Sequence, residues 1–576
     1  MIEVPTGATD LIPFANDLIE RCRVSVGMRT AYYRLLSAIY ETGRYDGTKS
    51  LINTLPNHIT RLAGMLYSPV ELKFSMDYTN PYPTRELDRA KEAAKLLSRR
   101  WGLPGTNSDI LWGRGVVDAL KYGCTFLKQW AETEWNDVVY QQKLLMPWQL
   151  GVYREDENDL SKQEAIAETS ALSIPEVWRR IYHLPGARDL LEKIKANAGI
   201  GEAGGGPDSF FHQVLSTSQL NTGVQSMTSP VPGGIVQLNQ DPNYAMMGPS
   251  IAVDTVKFHE LWVKGDDDYV TIQMIEPDIL IAPLFKKSNL LGVRRKQPYR
   301  IIQPNETSNW LWGRSELVDL IEPQMLLSVW ADDLKRLYGL QIDKVLAFSG
   351  SGAISDERYA QFRATGYMDM ELGSTVADLT PKIPPEALPL LQWLMQVINQ
   401  IAGFPPVMQG MGDSGVRAGV QLDSLIKTAS PTQRDRALLV ERQLADAADL
   451  SFRVQRAKDA KYYWTDGSTP DTAEQTKFLL GDIPDDFRVT VDSHSSSPIF
   501  SDEATQLIFQ ARKIGDVDGE YMIDNLPFPN KENAKAALKA RKAAGQTMQT
   551  ELTQKAEQMP IDVQGKILER QLSGRK

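Results

Sequence analysis

Cysteine is almost missing from this chain: Cys22 and Cys124 are the only two among 576 residues. Two thiols make no disulfide framework and offer no Cys-x-x-Cys metal site, a usage that suits a reducing compartment. Long apolar runs are missing as well. No window approaches the roughly 18 uninterrupted apolar residues of a membrane span, and the opening MIEVPTGATDLIPF lacks the basic start and apolar run of a signal peptide. Positive charge is in deficit, with 63 Lys and Arg against 73 Asp and Glu and a formal net charge of -10. Proteins that grip duplex DNA tightly set clustered Lys and Arg against its phosphates, so static binding of nucleic acid is not expected. An acidic chain can still handle DNA that has to slide.

Catalytic signatures are equally sparse. The five histidines, His58, His183, His212, His259 and His494, are scattered. They form no His-Glu-x-x-His motif and no pair at helical spacing, and each is read as structural or surface. No Gly-x-x-x-x-Gly-Lys-Ser/Thr loop is present to cradle a triphosphate. A Gly-x-Gly-x-x-Gly does occur at 410–415, but an apolar helix and Pro-Pro-Val-Met-Gln precede it instead of the strand that a dinucleotide site requires. The acidic run at Asp516, Asp518 and Glu520 fails as a calcium loop, because Tyr521 stands at the glycine position and Pro527 at the final glutamate position. No catalytic set, metal site or cofactor is expected.

What is present is an ordinary globular balance, 42% hydrophobic and 24% charged residues, enough for a sizeable core. Helical spacing predicts helices over 14–45, 57–67, 85–100, 108–122 and a further helical set over 161–197, with Ser108 or Asp109 as the N-cap of the fourth. Gly123 is placed to end that fourth helix in a left-handed turn. Strands are expected in TFLKQWAE, VVYQQKLL and QLGVYRED, with Pro147-Trp148 intervening, and a hairpin over 254–282 turning at 265–268. Residues 196–250, rich in Gly, Pro and Ser, read as a long loop or mobile insertion.

The middle of the chain carries the most information. A long helix is predicted over 311–340, capped by Ser315 and bent or restarted at Pro323, with Leu317, Leu320, Ile321, Leu327, Trp330, Leu334 and Leu337 on one face. A small αβ unit follows: a strand at 342–348, a helix from Ser355 and a second strand near 367–372. A second apolar helix runs over 386–402, with Leu391, Leu394, Val397, Ile398 and Ile401 on its face. After the Gly-rich 403–420 stretch a helix resumes, restarts at Ser430-Pro431 and continues to 462. A strand at 487–493 and helices at 501–514, 519–525 and 530–557 close the chain.

This order of elements resembles the portal proteins of tailed bacteriophages. Four segments carry the resemblance: VVDALKYGCTFLKQW with its later Pro-Trp; Trp312-Gly-Arg-Ser-Glu-Leu, similar to the family's Gly-x-Ser-x-Leu helix start; the compact insertion between two long helices; and Ile401-Ala-Gly-Phe-Pro-Pro before a Gly-rich loop and a long helix. The last is similar to the family's Ala-x-x-Phe-x-Val-Pro-Pro segment but lacks its Val. The match spans residues 17–495, leaving out most of 196–250.

The resemblance implies an α+β, predominantly α-helical portal-type fold. Residues 1–310 and 419–497 would be the wing, 311–340 and 386–402 the stem, 341–385 the clip, 403–418 the tunnel loop, and 498–576 the crown and tail. It implies a head-to-tail homo-oligomeric ring, usually of twelve copies, at one capsid vertex of the virion, assembled in the host cytoplasm. Double-stranded DNA would pass through it during packaging and ejection. Its partners would be the large terminase, a head–tail adaptor or tail protein, and the major capsid and scaffolding proteins. The channel would be lined by Met408, Gln409, Met411, Asp413, Ser414 and Arg417, a soft loop whose single arginine would not retard sliding. The clip would meet its partners through Lys344, Asp356, Glu357, Arg358 and Arg363. Two plainer readings stand beside these, a flexible surface turn for the loop and a solvated face for the clip charges. Two other functions compete: a virion connector or minor capsid component without a channel, and an enzyme working through paired carboxylates, for which no motif is found.

Overall fold

In the computed structural model the chain is mixed α and β, about 52% helix and 21% strand. It divides into two units, Met1–Asp492 and Ser493–Lys576. The structure describes residues 2–5, 7–24, 26–45, 48–67, 72–102, 107–134, 137–182, 184–196, 199–202, 252–276, 278–282, 289–342, 346–349, 356–365, 375–403, 431–464 and 477–491, and beyond these only 519, 522, 537 and 538. The helix expected at 501–514, most of those expected at 519–525 and 530–557, residues 203–250 of the loop expected over 196–250 and the 367–372 strand thus lie outside the described residues.

The first unit opens with two helices where the periodicity predicts one: α1 (Ala8–Arg23) and α2 (Val26–Thr42). The division follows from their partners. Leu11, Ala15, Leu18 and Cys22 of α1 pack on a β-sheet around Ala165, Leu261, Ile272 and Met274, whereas α2 packs on other helices. Gly43 ends α2 with φ +79°. Helix α3 (Leu55–Leu66), strand β1 (Phe74–Tyr78), and helices α4 (Thr84–Trp101) and α5 (Ser108–Tyr122) follow. The cap of α5 is Asn107, not Ser108 or Asp109. Asn107 takes a left-handed φ of 45° that its short side chain tolerates, and Ser108 is buried inside the first turn.

Next come β2 (Thr125–Glu134), β3 (Asp137–Leu145), β4 (Leu150–Val152) and β5 (Ala165–Ser173), then α6 (Ile174–Ile181), α7 (Ala187–Ala196) and β6 (Gly199–Glu202). Strand β5 corrects the helical expectation for 161–197. AIAETSALS has helix-forming composition, yet its first six residues are all buried, and cross-strand pairing outweighs intrinsic propensity. Strands β7 (Ala252–Lys264), β8 (Tyr269–Ile275) and β9 (Ile279–Ala282) complete a sheet in which β5 pairs with β7 from Ala165↔Val263 to Ser173↔Thr255. The order is β4-β5-β7-β8-β9, with β6 also on β7. Strand β10 (Tyr299–Ile302) joins β2 and β3 in a second sheet.

The two sheets share a core containing Phe126, Ile166, Trp262, Leu311 and Trp312. A buried ionic cluster also ties them. Lys128 Nζ on β2 lies 2.6 Å from Glu168 Oε2 and 2.8 Å from Glu260 Oε1 on the other sheet. The Tyr299 hydroxyl donates to Glu168 at 2.9 Å, and Trp262 Nε1 and Gln273 Nε2 donate to Glu260, each at 2.9 Å. Burial works against every charge here. Even so, Glu168 and Glu260 outweigh it and raise the Lys128 ammonium, and Lys128 holds Glu260 well below the usual carboxylate range.

The chain then enters α8 (Leu317–Ile342), β11 (Leu346–Ser349), α9 (Asp356–Thr365), β12 (Thr375–Asp378) and α10 (Ala387–Ile401). Strands β11 and β12 pair antiparallel, so a small αβ insert stands between two apolar helices. Helix α8 starts later than expected, because Trp312 and Gly313 belong to a docking loop, and it continues through Pro323. Helix α11 (Pro431–Lys458) packs across β2, β10 and α3; residues 404–430, where the expected earlier helix and its restart would show, lie outside the described residues. Two short strands not anticipated, β13 (Tyr462–Trp464) and β14 (Lys477–Leu479), pair with each other, and β15 (Phe487–Val491) pairs with β1.

Candidate assembly surface

Gly123 and Ser315 set the direction of α8. The Ser315 hydroxyl accepts from Leu317 N–H at 3.1 Å and donates to the Lys121 carbonyl at 2.5 Å, so one side chain caps α8 and satisfies the end of α5. Gly123, at φ +102°, lies so close to this loop that a Cβ would sit 2.5 Å from the Trp312 carbonyl oxygen. Trp312 is buried; its Nε1 donates to Glu155 at 2.9 Å, and the Arg29 guanidinium, paired with Glu155 at 3.0 Å, stacks 3.4 Å from its ring.

The first half of α8 is anchored by polar contacts. Gln324 accepts from Thr54 N–H and hydroxyl at 3.2 and 2.8 Å and donates to the Ile52 carbonyl at 2.7 Å. Ser50 donates to Ser328 at 2.8 Å. Leu317, Leu320, Leu327 and Ala331 supply the buried apolar face. Past Ala331 the burial stops, and no residue from Asp332 to Ile342 is buried.

Helix α10, which packs against α8, is the anomaly of the structure. Its 15 residues, ALPLLQWLMQVINQI, contain no charged side chain, yet only Leu394 and Ile398 are buried. Leu388, Leu390, Trp393, Met395 and Ile401 are exposed, Trp393 to 54%. On α8, Leu326, Val329, Tyr338 and Ile342 are also exposed, Ile342 to 81%. Single exposed apolar residues are ordinary; five on one uncharged 15-residue helix make it a candidate interaction surface. Covering a half-exposed side chain of this size contributes about 1 kcal/mol, half the value for full burial. At about 1.5 Å rise per residue the helix is also too short for a bilayer, and among the described residues no helix is long and apolar enough to cross one.

The residues expected to line a channel, Met408, Gln409, Met411, Asp413, Ser414 and Arg417, lie outside the described residues, as does Lys344. Asp356, Glu357, Arg358 and Arg363 all fall on α9, with Glu357 exposed. Of the tryptophans on the two predicted helices, Trp312 is core, Trp330 half-buried and Trp393 exposed. Helical spacing marks Leu391, Leu394, Val397, Ile398 and Ile401 as the apolar face and passes over Leu388, Leu390, Trp393 and Met395. The signal that marks all four is the lack of any charge over 387–401.

No cluster of His, Cys, Asp and Glu suited to a metal ion occurs among the described residues. His58 is buried in α3, where burial and Arg61 push its imidazole down to about 4. One hydroxyl–imidazole–carboxylate chain was not anticipated: Thr169 Oγ1 lies 2.9 Å from His259 Nδ1, and His259 Nε2 lies 3.1 Å from Glu276 Oε1. The hydrogen bond from His259 holds the Glu276 carboxyl low, with Lys257 adding to it. Thr169 is buried opposite His259 between paired strands, so the chain of groups works as a cross-strand tie. No protein-family model matches the sequence, and no curated protein matches it significantly.

Proposed function

We propose that this chain is a structural portal protein: a ring of identical subunits at one capsid vertex that conducts double-stranded DNA and docks the packaging motor and tail connector. The observation that carries the reading is the uncharged, exposed helix α10 beside α8, with a small αβ insert between them. Such a surface needs a protein partner. In a head-to-tail ring each copy covers its neighbour by one repeated contact that closes on itself, so a single chain supplies both sides. The order of helix, insert, helix and Gly-rich segment is the order on which the sequence resemblance rests. In this reading the chain performs no catalysis, the 403–418 segment faces the DNA, and α9 with its Arg358 and Arg363 faces the partners. Immunogold labelling of purified virions is the test of function. Label at a single vertex, at the tail junction, is expected; label spread over the shell would retire the portal assignment in favour of a shell component.

A further inference from the structure

The apolar surface of α10 is divided between two flanks. At about 100° of turn per residue, Leu390, Trp393, Val397 and Ile401 fall on one stripe and Leu388, Leu391 and Met395 on another, the two about 150° apart around the axis. In the first stripe Leu390, Trp393 and Ile401 are exposed and Val397 is half-buried; in the second Leu388 and Met395 are exposed and Leu391 is half-buried. The buried pair Leu394 and Ile398 lies between the stripes, and α8 is the element that α10 packs on. The side opposite that pair carries the exposed amides of Gln392, Gln396 and Gln400.

Two flanks of the same chemistry restrict what can cover them. A partner approaching α10 from one direction, or a second copy related by a twofold axis, hides one stripe and leaves the other in water. With no charge over 387–401, the helix offers nothing to an ionic partner. In a closed ring of head-to-tail copies the two neighbours of any subunit lie in nearly opposite directions, and the stripes face nearly opposite ways. The stripes also differ in a way that suits a head-to-tail contact. One presents a rigid indole with β-branched Val397 and Ile401. The other presents two leucines and a methionine, and methionine packs adaptably around a fixed shape.

We propose that α10 of each subunit meets the α10 helices of both neighbours, the Trp393 stripe of one copy lying against the Leu388–Met395 stripe of the next. The inference rests on the reading of the chain as a ring and names the surface that each copy offers on either side. One such contact is small. Three or four side chains, each already partly covered, offer on the order of a few hundred Å², below the roughly 1,200–2,000 Å² buried in a stable pair. A single contact therefore does not hold two copies together, whereas closure of the ring gives every copy the contact twice. The amide side of α10 stays in water.

The test is disulfide trapping in assembled particles of the full chain. Cys22 and Cys124 are buried, so thiols placed on the flanks of α10 are the reactive ones. Leu390→Cys is combined in turn with Leu388→Cys, Leu391→Cys and Met395→Cys. Rings are checked by negative-stain electron microscopy, then oxidised and run on a non-reducing gel. A disulfide needs Cα atoms within about 4.4–6.8 Å, whereas identical positions on helices packed side by side stand about 8–10 Å apart. At least one double variant should therefore give a ladder of cross-linked subunits, while each single variant runs as a monomer. Dimers from a single variant would show a twofold contact and overturn the pairing. Rings in which no double variant cross-links would overturn the pairing and leave the ring. Hydroxyl-radical footprinting of the wild type covers the case of variants that fail to assemble. Oxidation of Trp393 and of Met395 should both fall between isolated subunits and rings, and protection of one alone would overturn the proposal. Wild-type chain that forms no rings, alone or with its capsid partners, would remove the ring reading and the pairing with it.

Discussion

Replacing Lys128 by Met should destabilise the protein in a strongly pH-dependent way. Lys128 is the cation shared by Glu168 and Glu260, which face each other across β5 and β7. Methionine fills similar volume but leaves two buried carboxylates without it. Breaking a buried ion pair from one side costs about 3–5 kcal/mol. The alternative is to bind a proton. At about 1.36 kcal/mol per pH unit above an ordinary glutamate pKa of about 4.3, that costs about 5 kcal/mol at pH 8 but only about 1.6 kcal/mol at pH 5.5. In the wild type the depressed Glu260 contributes stability above the unfolded carboxylate pKa and loses it only as the pH falls toward its lower folded value. The raised Lys128 contributes below the ordinary lysine pKa, and that contribution is lost only above it. Wild-type stability from this cluster is therefore flat between pH 5.5 and 8. In the variant the carboxylates titrate above their unfolded pKa, so stability improves as pH falls. Urea unfolding followed by tryptophan fluorescence should show a deficit of about 3–5 kcal/mol at pH 8 that shrinks to about 2 kcal/mol or less at pH 5.5. A deficit equal at both pH values would refute the claim that Lys128 works by neutralising this pair.

Gly123→Ala should destabilise by about 2 kcal/mol or more, since a positive φ of 102° and a 2.5 Å approach to the Trp312 carbonyl leave no room for a methyl group; thermal unfolding checks it. Gln324→Ala should cost about 1–3 kcal/mol, because the Thr54 and Ile52 backbone groups lose their partner, with faster amide exchange across 48–54. Deleting 408–416 should leave ring assembly intact but impair DNA packaging or genome retention; normal titres of filled virions would count against a channel role for that segment. Charge reversal at both Arg358 and Arg363 should weaken binding to the packaging motor or tail adaptor in a pull-down, and unchanged capture would return α9 to a plain solvated face.

Much of the fold was legible where local chemistry and tertiary context agree. Ser315 and Gly123 do the jobs their residue types suggest, because caps and positive φ are local demands. Two separate motifs, the Gly123 turn and Trp312-Gly-Arg-Ser, prove to be one junction: Ser315 links the start of α8 to the end of α5. No single-segment signal could show that contact. Strand β5 was hidden because alanine, glutamate and leucine favour helix until β4 and β7 pair with it. The division between α1 and α2 was hidden because both carry apolar faces of the same period, which differ only in what they pack against. On the assembly surface the periodic face of α10 was readable, but periodicity reports which residues want burial, not which of them one copy can bury. Ile401 was assigned to the packed face and is exposed in the isolated chain.

The most direct test of the central claim is the particle mass and negative-stain image of the full chain, made alone and with its capsid partners, against the Trp393→Glu variant under the same conditions. A glutamate on the exposed face of α10 cannot disturb the core of a single copy, but its charge would be trapped in a subunit contact. The account predicts closed rings with a central hole for the wild type in at least one condition, and isolated folded subunits for the variant. Wild-type chain that stays monomeric in both conditions, or rings that form equally well with Glu at 393, would contradict it.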